Sequence, residues 1–312
     1  MNKRAQLKVK AGVAGKYRLR VGREGEAPRI DTGWFDNLVT DAGLNYMGGN
    51  ANWLDACQVG TDNTTPANAD TALGAYVAGT TTQTDVTRAA QGSAPYYGST
   101  TITYRFAAGS FAGEALAEVG IGTAFSGGTL FSRALITDGG GSPTTITVLA
   151  DEFLDVTYQI QIVPPTGDIT VSDVTDSGPA GTVHSITLRA SEVTTTGSWE
   201  VGINGDQVAL VTENTLRAYD GAIGAITTDP AGTNETITSI SNDAYSNLSL
   251  ERTASISFDL DDANFGTGLK SIKFKFDSGG SWQAEFDPVI SKTATDTLTI
   301  DVSVSWDRTT AL

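Results

Sequence analysis

The stretch that most constrains this chain is Phe153–Val163, FLDVTYQIQIV, followed at once by Pro164-Pro165. Leu154, Val156, Tyr158, Ile160 and Ile162 alternate with Phe153, Asp155, Thr157, Gln159 and Gln161. A period of two puts the apolar set on one face and the polar set on the other, which predicts a long half-buried strand. The two prolines have no backbone N–H to give a ladder, so the strand must end there. The last stretch, Thr293–Trp306, has the same form, with Leu298, Ile300, Val302, Val304 and Trp306 on one face. A long alternating strand closing each half predicts an all-β chain of two antiparallel β-sandwich or barrel-like domains, 1–165 and 166–312. Ile256 and Phe258 stand in the second half where Ile102 and Tyr104 stand in the first, and Ser281–Ile290 matches Leu130–Ile136. These echoes predict a duplication of one β-unit.

Composition agrees with strands and tight turns rather than a helix bundle: there are 35 glycines and only 18% charged residues in 312. One helix is expected, a short one in the first domain over Asp31–Leu44, where Phe35, Leu38, Val39 and Ala42 sit at helical spacing and Gly43 offers a left-handed stop. Its Trp34 and Phe35 are expected to be buried. Asn204-Gly205 between Ile203 and Val208 is a two-residue hairpin signal, since both residues tolerate positive φ. It follows a strand expected over Ser198–Ile203.

Charge is segregated. Residues 1–30 carry nine lysines and arginines against Glu24 and Glu26, or +7; with a formal total of −16, the other 282 residues carry −23. An acidic body repels phosphates, so nucleic acid is not expected as a partner. Leu7–Lys10 and Lys16–Arg23 read as a hairpin turning at Ala11-Gly12-Val13-Ala14-Gly15, with Tyr17, Leu19 and Val21 on one face and Arg18 and Arg20 on the other. Lys8, Lys10, Arg18 and Arg20, with Trp34 and Phe35, form the expected protein–protein interface. No apolar run approaches the roughly 20 residues of a membrane span, and no apolar core follows the charged N-terminus as in a signal peptide. A soluble protein made in a cytosol is expected.

Candidate chemistry is thin. Cys57 and His184 are each alone in the sequence, which removes internal disulfides, thiolate metal sites and most acid–base constellations. His184 is expected on the polar face of a strand, and Cys57 as a small buried hydrophobe. Asp259, Asp261 and Asp262 crowd one turn and could offer oxygens to a cation, but the spacing lacks the glycine and glutamate of a calcium loop. Asp151, Glu152 and Asp155 could be imagined as paired carboxylates for glycoside hydrolysis, a pattern any acidic chain supplies. No cofactor motif is present and no catalytic residue is expected.

The segments KVKAGVAGKYRLRVGR, DTGWFDNLVTDAGLNYMGG and VGTDNTTPANADTALGAYV, continuing through LAEVGIG, LFSRALI and the strand before Pro164, resemble structural proteins of tailed-bacteriophage virions, of the tail or tail-fibre-associated kind. The resemblance covers roughly residues 7–165. It implies a β-rich assembly component of the virion, present in several copies and contacting copies of itself and other virion proteins. The alternative is a receptor-binding module that holds a host-surface glycan.

Overall fold

A computed structural model describes residues 2–111, 113–175, 182–211 and 216–312. The first half runs β1 (Asn2–Gly22), β2 (Ile30–Asp31), β3 (Phe35–Asp36), β4 (Leu38–Val39), helix α1 (Asp41–Gly49), β5 (Ala56–Gly60) and β6 (Tyr76–Thr80). It continues through β7 (Gln83–Ala90), β8 (Gly98–Phe106), β9 (Ala115–Leu116), β10 (Glu118–Gly122), β11 (Leu130–Leu135), β12 (Ile146–Thr147) and β13 (Phe153–Val163). The second half begins with β14 (Ile169–Thr175), β15 (Val183–Ala190), β16 (Ala209–Val211), β17 (Arg217–Tyr219) and β18 (Asn234–Thr236). It ends with β19 (Ile240–Asn242), β20 (Glu251–Phe258), β21 (Leu269–Asp277), β22 (Gly280–Ile290) and β23 (Thr297–Arg308). The fold is all-β with a single short helix among the described residues, and Phe153–Val163 is the strand its alternation requires, with Leu154, Val156, Tyr158, Ile160 and Ile162 all buried.

The N-terminal hairpin is replaced by one strand. Ala11–Gly15 does not turn, and β1 runs straight through it for 21 residues. Small residues serve close approach here: a Cβ on Gly15 would lie 2.4 Å from the Tyr158 hydroxyl oxygen. Along Asn2–Val13, β1 pairs in parallel with β23, and along Gly12–Gly22 it pairs antiparallel with β13. One sheet, ordered β19-β20-β23-β1-β13-β8-β7, therefore holds strands from both halves, and β1 crosses the boundary expected at 165/166. Lys3 and Arg4 of the expected basic arm lie on β1, but their side chains fall outside the described set.

Two further sheets are each confined to one half. The first half has β4-β11-β10-β5-β6, and the second has β14-β15-β22-β21-β17-β18 with β16 on β21. Matching β11 with β22 and β10 with β21 aligns β4 with β15, β5 with β17 and β6 with β18. In the shared sheet the same match sets β13-β8-β7 against β23-β20-β19. Both halves place corresponding strands in the same order, and the sequence echoes fall on equivalent strands. Descent by duplication is a proposal that this order supports.

The helix starts where the sequence suggested it would stop. Thr40 is its N-cap, accepting from the Gly43 N–H at 2.9 Å, so Gly43 sits in the first turn. Leu44 and Met47 are its buried residues at i and i+3. Phe35 lies instead in β3 opposite Tyr17, and Leu38 and Val39 in β4 against β11. Their helical spacing is coincidental, because each residue in this extended segment is set by the strand it meets. The expected Asn204-Gly205 hairpin is not formed: the turn there is Gly202–Gly205, closed by Gly205 N–H to Gly202 O at 2.9 Å with Ile203 and Asn204 at its centre, and Ser198–Ile203 is not a strand. The turn's carbonyls are taken by the first half: Asn52 N–H donates to Gly205 O and Leu54 N–H to Asn204 O, both at 2.8 Å. Among the described residues no helix is long and apolar enough to cross a membrane.

Leu7 is fully buried on β1, opposite Val302 of β23. Leu7→Ala is expected to lower the urea unfolding free energy by about 2–5 kcal/mol. A loss under about 0.5 kcal/mol would contradict the placement of β1 inside both halves.

Candidate functional site

The residues expected at an interface are spread along β1 and its neighbours, and most are engaged within the chain. Lys8 pairs with Glu251 at 3.3 Å and Lys10 with Asp307 at 3.4 Å. Arg18 donates through Nε to Asp31 at 2.8 Å and Arg20 donates to the same carboxylate at 3.1 Å. The Arg18 hydrogen bonds, foremost, hold the Asp31 carboxyl well below the usual carboxylate range, against the opposing effect of partial burial. Phe35 is buried, as expected, 6.0 Å from the Tyr17 ring. Trp34 is not: it is 42% exposed, with the Lys16 ammonium 5.5 Å from its ring centre. Trp34 lies just before β3, outside any strand, whereas Phe35 is held inward by its pairing opposite Tyr17.

The candidate catalytic groups are all locked. His184 is buried rather than on a polar face, and its Nδ1 lies 2.6 Å from Pro288 O. A carbonyl only accepts, so Nδ1 carries the proton and donates. Alternation explains the burial, since His184 shares the inner face with Ile186 while Val183 is exposed. Cys57 is fully buried, which pushes its thiol pKa up and away from reactivity. Asp151, Glu152 and Asp155 each face a different arginine, respectively Arg23, Arg29 and Arg105. At the acidic turn the Lys292 ammonium donates to the Asp259 backbone O at 2.5 Å and to Asn264 Oδ1 at 3.2 Å. No group of three metal-ligating side chains occurs among the described residues.

What the sequence did not disclose is a polar cluster inside the sheet β4-β11-β10-β5-β6. Arg133 on β11 and Glu118 on β10 are both buried, with Arg133 Nε donating to Glu118 at 2.8 Å. The remaining guanidinium nitrogens reach the loop before β6: Asp70 and Asp62, each at 2.8 Å, and Thr64 O at 3.1 Å. Glu118 accepts in turn from the Gly74 and Ala75 N–H groups at 3.1 and 2.8 Å. The residue after Ala75 is Tyr76, so this cluster fixes where Tyr76 leaves the sheet.

A second buried polar residue, Gln58 on β5, does the same for the loop 123–129. Its amide nitrogen donates to Ala124 O at 2.7 Å and Gly127 O at 3.0 Å, on either side of Phe125. The Phe125 carbonyl lies over Gly79 of β6, where a Cβ would be 1.7 Å from that oxygen, so only glycine fits. Tyr76 and Phe125, 44% and 57% exposed, both line one groove of ≈ 560 Å³. Its other walls include Val77, Thr80, Thr82 and the end of β8. The signal for this site was present in the sequence as Glu118 and Arg133, charges inside the apolar runs LAEVGIG and LFSRALI.

No protein-family model, curated protein or solved structure matches the chain.

Removing the Arg133 guanidinium leaves Glu118 buried and uncompensated. Arg133→Met is expected to cost about 3–5 kcal/mol in urea unfolding, and to open the 61–75 loop to limited proteolysis; a loop still protected would refute the anchoring role. Acid titration gives a second check. The Arg29 hydrogen bonds, foremost, lower Glu152 from an ordinary 4.5 to about 2. A depressed carboxyl stabilises the fold above its unfolded pKa, and that stability is lost as pH falls from about 4.5 toward 2. The unfolding midpoint of Arg29→Gln should therefore lie below that of the parent at pH 7 and converge with it near pH 2.

Proposed function

We propose that this chain is a structural protein of a tailed-bacteriophage particle. It would be a multi-copy component of the tail, collar or fibre-attachment region that works by protein–protein assembly with copies of itself and other virion proteins. The observation that carries this reading is β1, which builds one sheet through both halves and uses its own basic residues to do so. The product is an acidic body whose halves share one hydrogen-bonded sheet, an arrangement suited to bearing load between neighbours. The sequence resemblance over roughly 7–165 supplies the class of particle. Its segments fold into β1, the stretch from β2 through α1, and the loop that Arg133 anchors. The engagement of His184, Cys57 and the 151–155 carboxylates within the fold also favours a binding role over a chemical one.

Arg18 and Arg20 share the Asp31 carboxylate, so much of the basic character of this strand is already met within the chain. Contacts between copies must instead overcome the repulsion of like-charged bodies, which salt screens. The test is recovery of the chain in banded tailed-phage particles from a lysate in which it is made, using quantitative mass spectrometry. Several copies per particle are expected. Abundant chain in the lysate with none in the particle band would overturn the reading.

A further inference from the structure

Two exposed aromatic residues on loops tied down by buried polar side chains form an arrangement that folding alone does not call for. Phe125 is the most exposed aromatic residue identified, yet its loop is held by the Gln58 amide on both sides and by Thr129 N–H to Thr123 Oγ1 at 2.9 Å. Tyr76 stands at the end of the chain that Glu118 and Arg133 fix. A single exposed ring is ordinary on a protein surface, but here two exposed rings line one groove and each is held out in a defined place. The groove between the two rings has a volume in the range of small-ligand sites.

From this geometry we infer that the groove lined by Tyr76 and Phe125 is a binding site for a neutral carbohydrate. The chemistry of the walls selects that class. Aromatic faces take up the apolar C–H faces of sugar rings, and Thr82 and Tyr76 bring hydroxyls to the same groove for the sugar hydroxyls, while those of Thr80 and Ser110 already donate to Arg105 O and Ala107 O. The one charged side chain there, Arg105, has its donors committed: Nε and Nη2 to Asp155, both at 2.7 Å, and Nη1 to Glu24 at 2.7 Å. It brings no unpaired positive charge to attract a carboxylate, sulfate or phosphate, and the body of the chain is acidic.

This inference does not rest on the virion reading, since a neutral-sugar site would serve a particle protein or any other. The test uses the full chain on an array of neutral oligosaccharides (gluco-, manno-, galacto- and N-acetylglucosamine series), with sialylated, sulfated and uronic-acid glycans printed beside them. Hits are then measured by titration calorimetry. Binding to at least one neutral oligosaccharide is expected, weakened at least tenfold by Phe125→Ala and by Tyr76→Ala. Trp34→Ala, which changes an exposed aromatic residue outside this groove, should bind as the parent does. Both groove variants alter exposed side chains, and an unchanged Tm shows that they fold. No neutral ligand at millimolar concentration, binding confined to the acidic glycans, or binding that survives both groove substitutions would each overturn the inference.

Discussion

A single strand satisfying two different neighbours is the constraint on which the rest of this molecule depends. At Gly12 and Val13, β1 is paired on one side with β13 and on the other with β23. Each of those long strands would otherwise present a row of unpaired N–H and C=O groups to solvent, an invitation to indiscriminate pairing. Filling both edges from one continuous segment makes the two halves share a ladder as well as a contact surface. The alternation of β1 then has to be correct for two partners at once. Leu7 and Val9 are buried beside β23, and Tyr17, Leu19 and Val21 beside β13, with Ala11, Val13 and Gly15 at the alternate positions between them. A register slip of one residue would turn both apolar sets outward together.

The same strand explains the segregation of charge. Basic side chains on the polar face of β1 meet acidic partners drawn from both halves: Glu251 and Asp307 in the second, Asp31 in the first. Exposed pairs of this kind contribute little stability each, roughly 0–1 kcal/mol. Their larger effect is on specificity, because a strand bearing lysines and arginines is attracted to this acidic chain and repelled by like-charged segments. The helix contributes to the same junction from the side. Arg308 of β23 reaches Asp41 and the Val39 carbonyl, and the Trp306 indole N–H donates to Leu44 O at 2.8 Å.

The sequence made legible what depends on period and not what depends on partners. Strand period alone disclosed β13, β23, β8 and β20, and the order of strands in each half followed their echoes. The hairpin at Ala11–Gly15 failed because small residues mark tight turns and close packing alike, and only the Tyr158 hydroxyl distinguishes the two. The helix was misplaced because Phe35, Leu38 and Val39 have helical spacing by accident of meeting two different strands. Of the residues first named for function, Trp34 is exposed and unconnected to the groove, while Lys8, Lys10, Arg18 and Arg20 build the fold. Arg133 and Glu118 were readable as charges in apolar strands, but their use, anchoring a loop 63–71 residues upstream in the case of Arg133, is set by tertiary pairing.

Burying those charges is a costly way to stabilise a sheet. Desolvating a guanidinium and a carboxylate costs several kcal/mol per ion, and well-packed apolar residues at β10 and β11 would commonly do as well or better. The second half carries a similar cost at the matching strand, where buried Lys273 of β21 reaches Glu192 and Asp229, each at 2.7 Å, so buried charge is not confined to the sheet beside the groove. What the polar cluster supplies that an apolar one cannot is direction: three carboxylates, a backbone carbonyl and two N–H groups fix one loop conformation. Gln58 fixes another in the same way. Loops ordered during folding need not be ordered again when a ligand arrives, and that saving of about 0.5–1.5 kcal/mol per immobilised side chain goes into affinity. Since both anchored loops lead to the exposed rings of Tyr76 and Phe125, the cost of the buried polar residues is best understood as the cost of preorganising the groove.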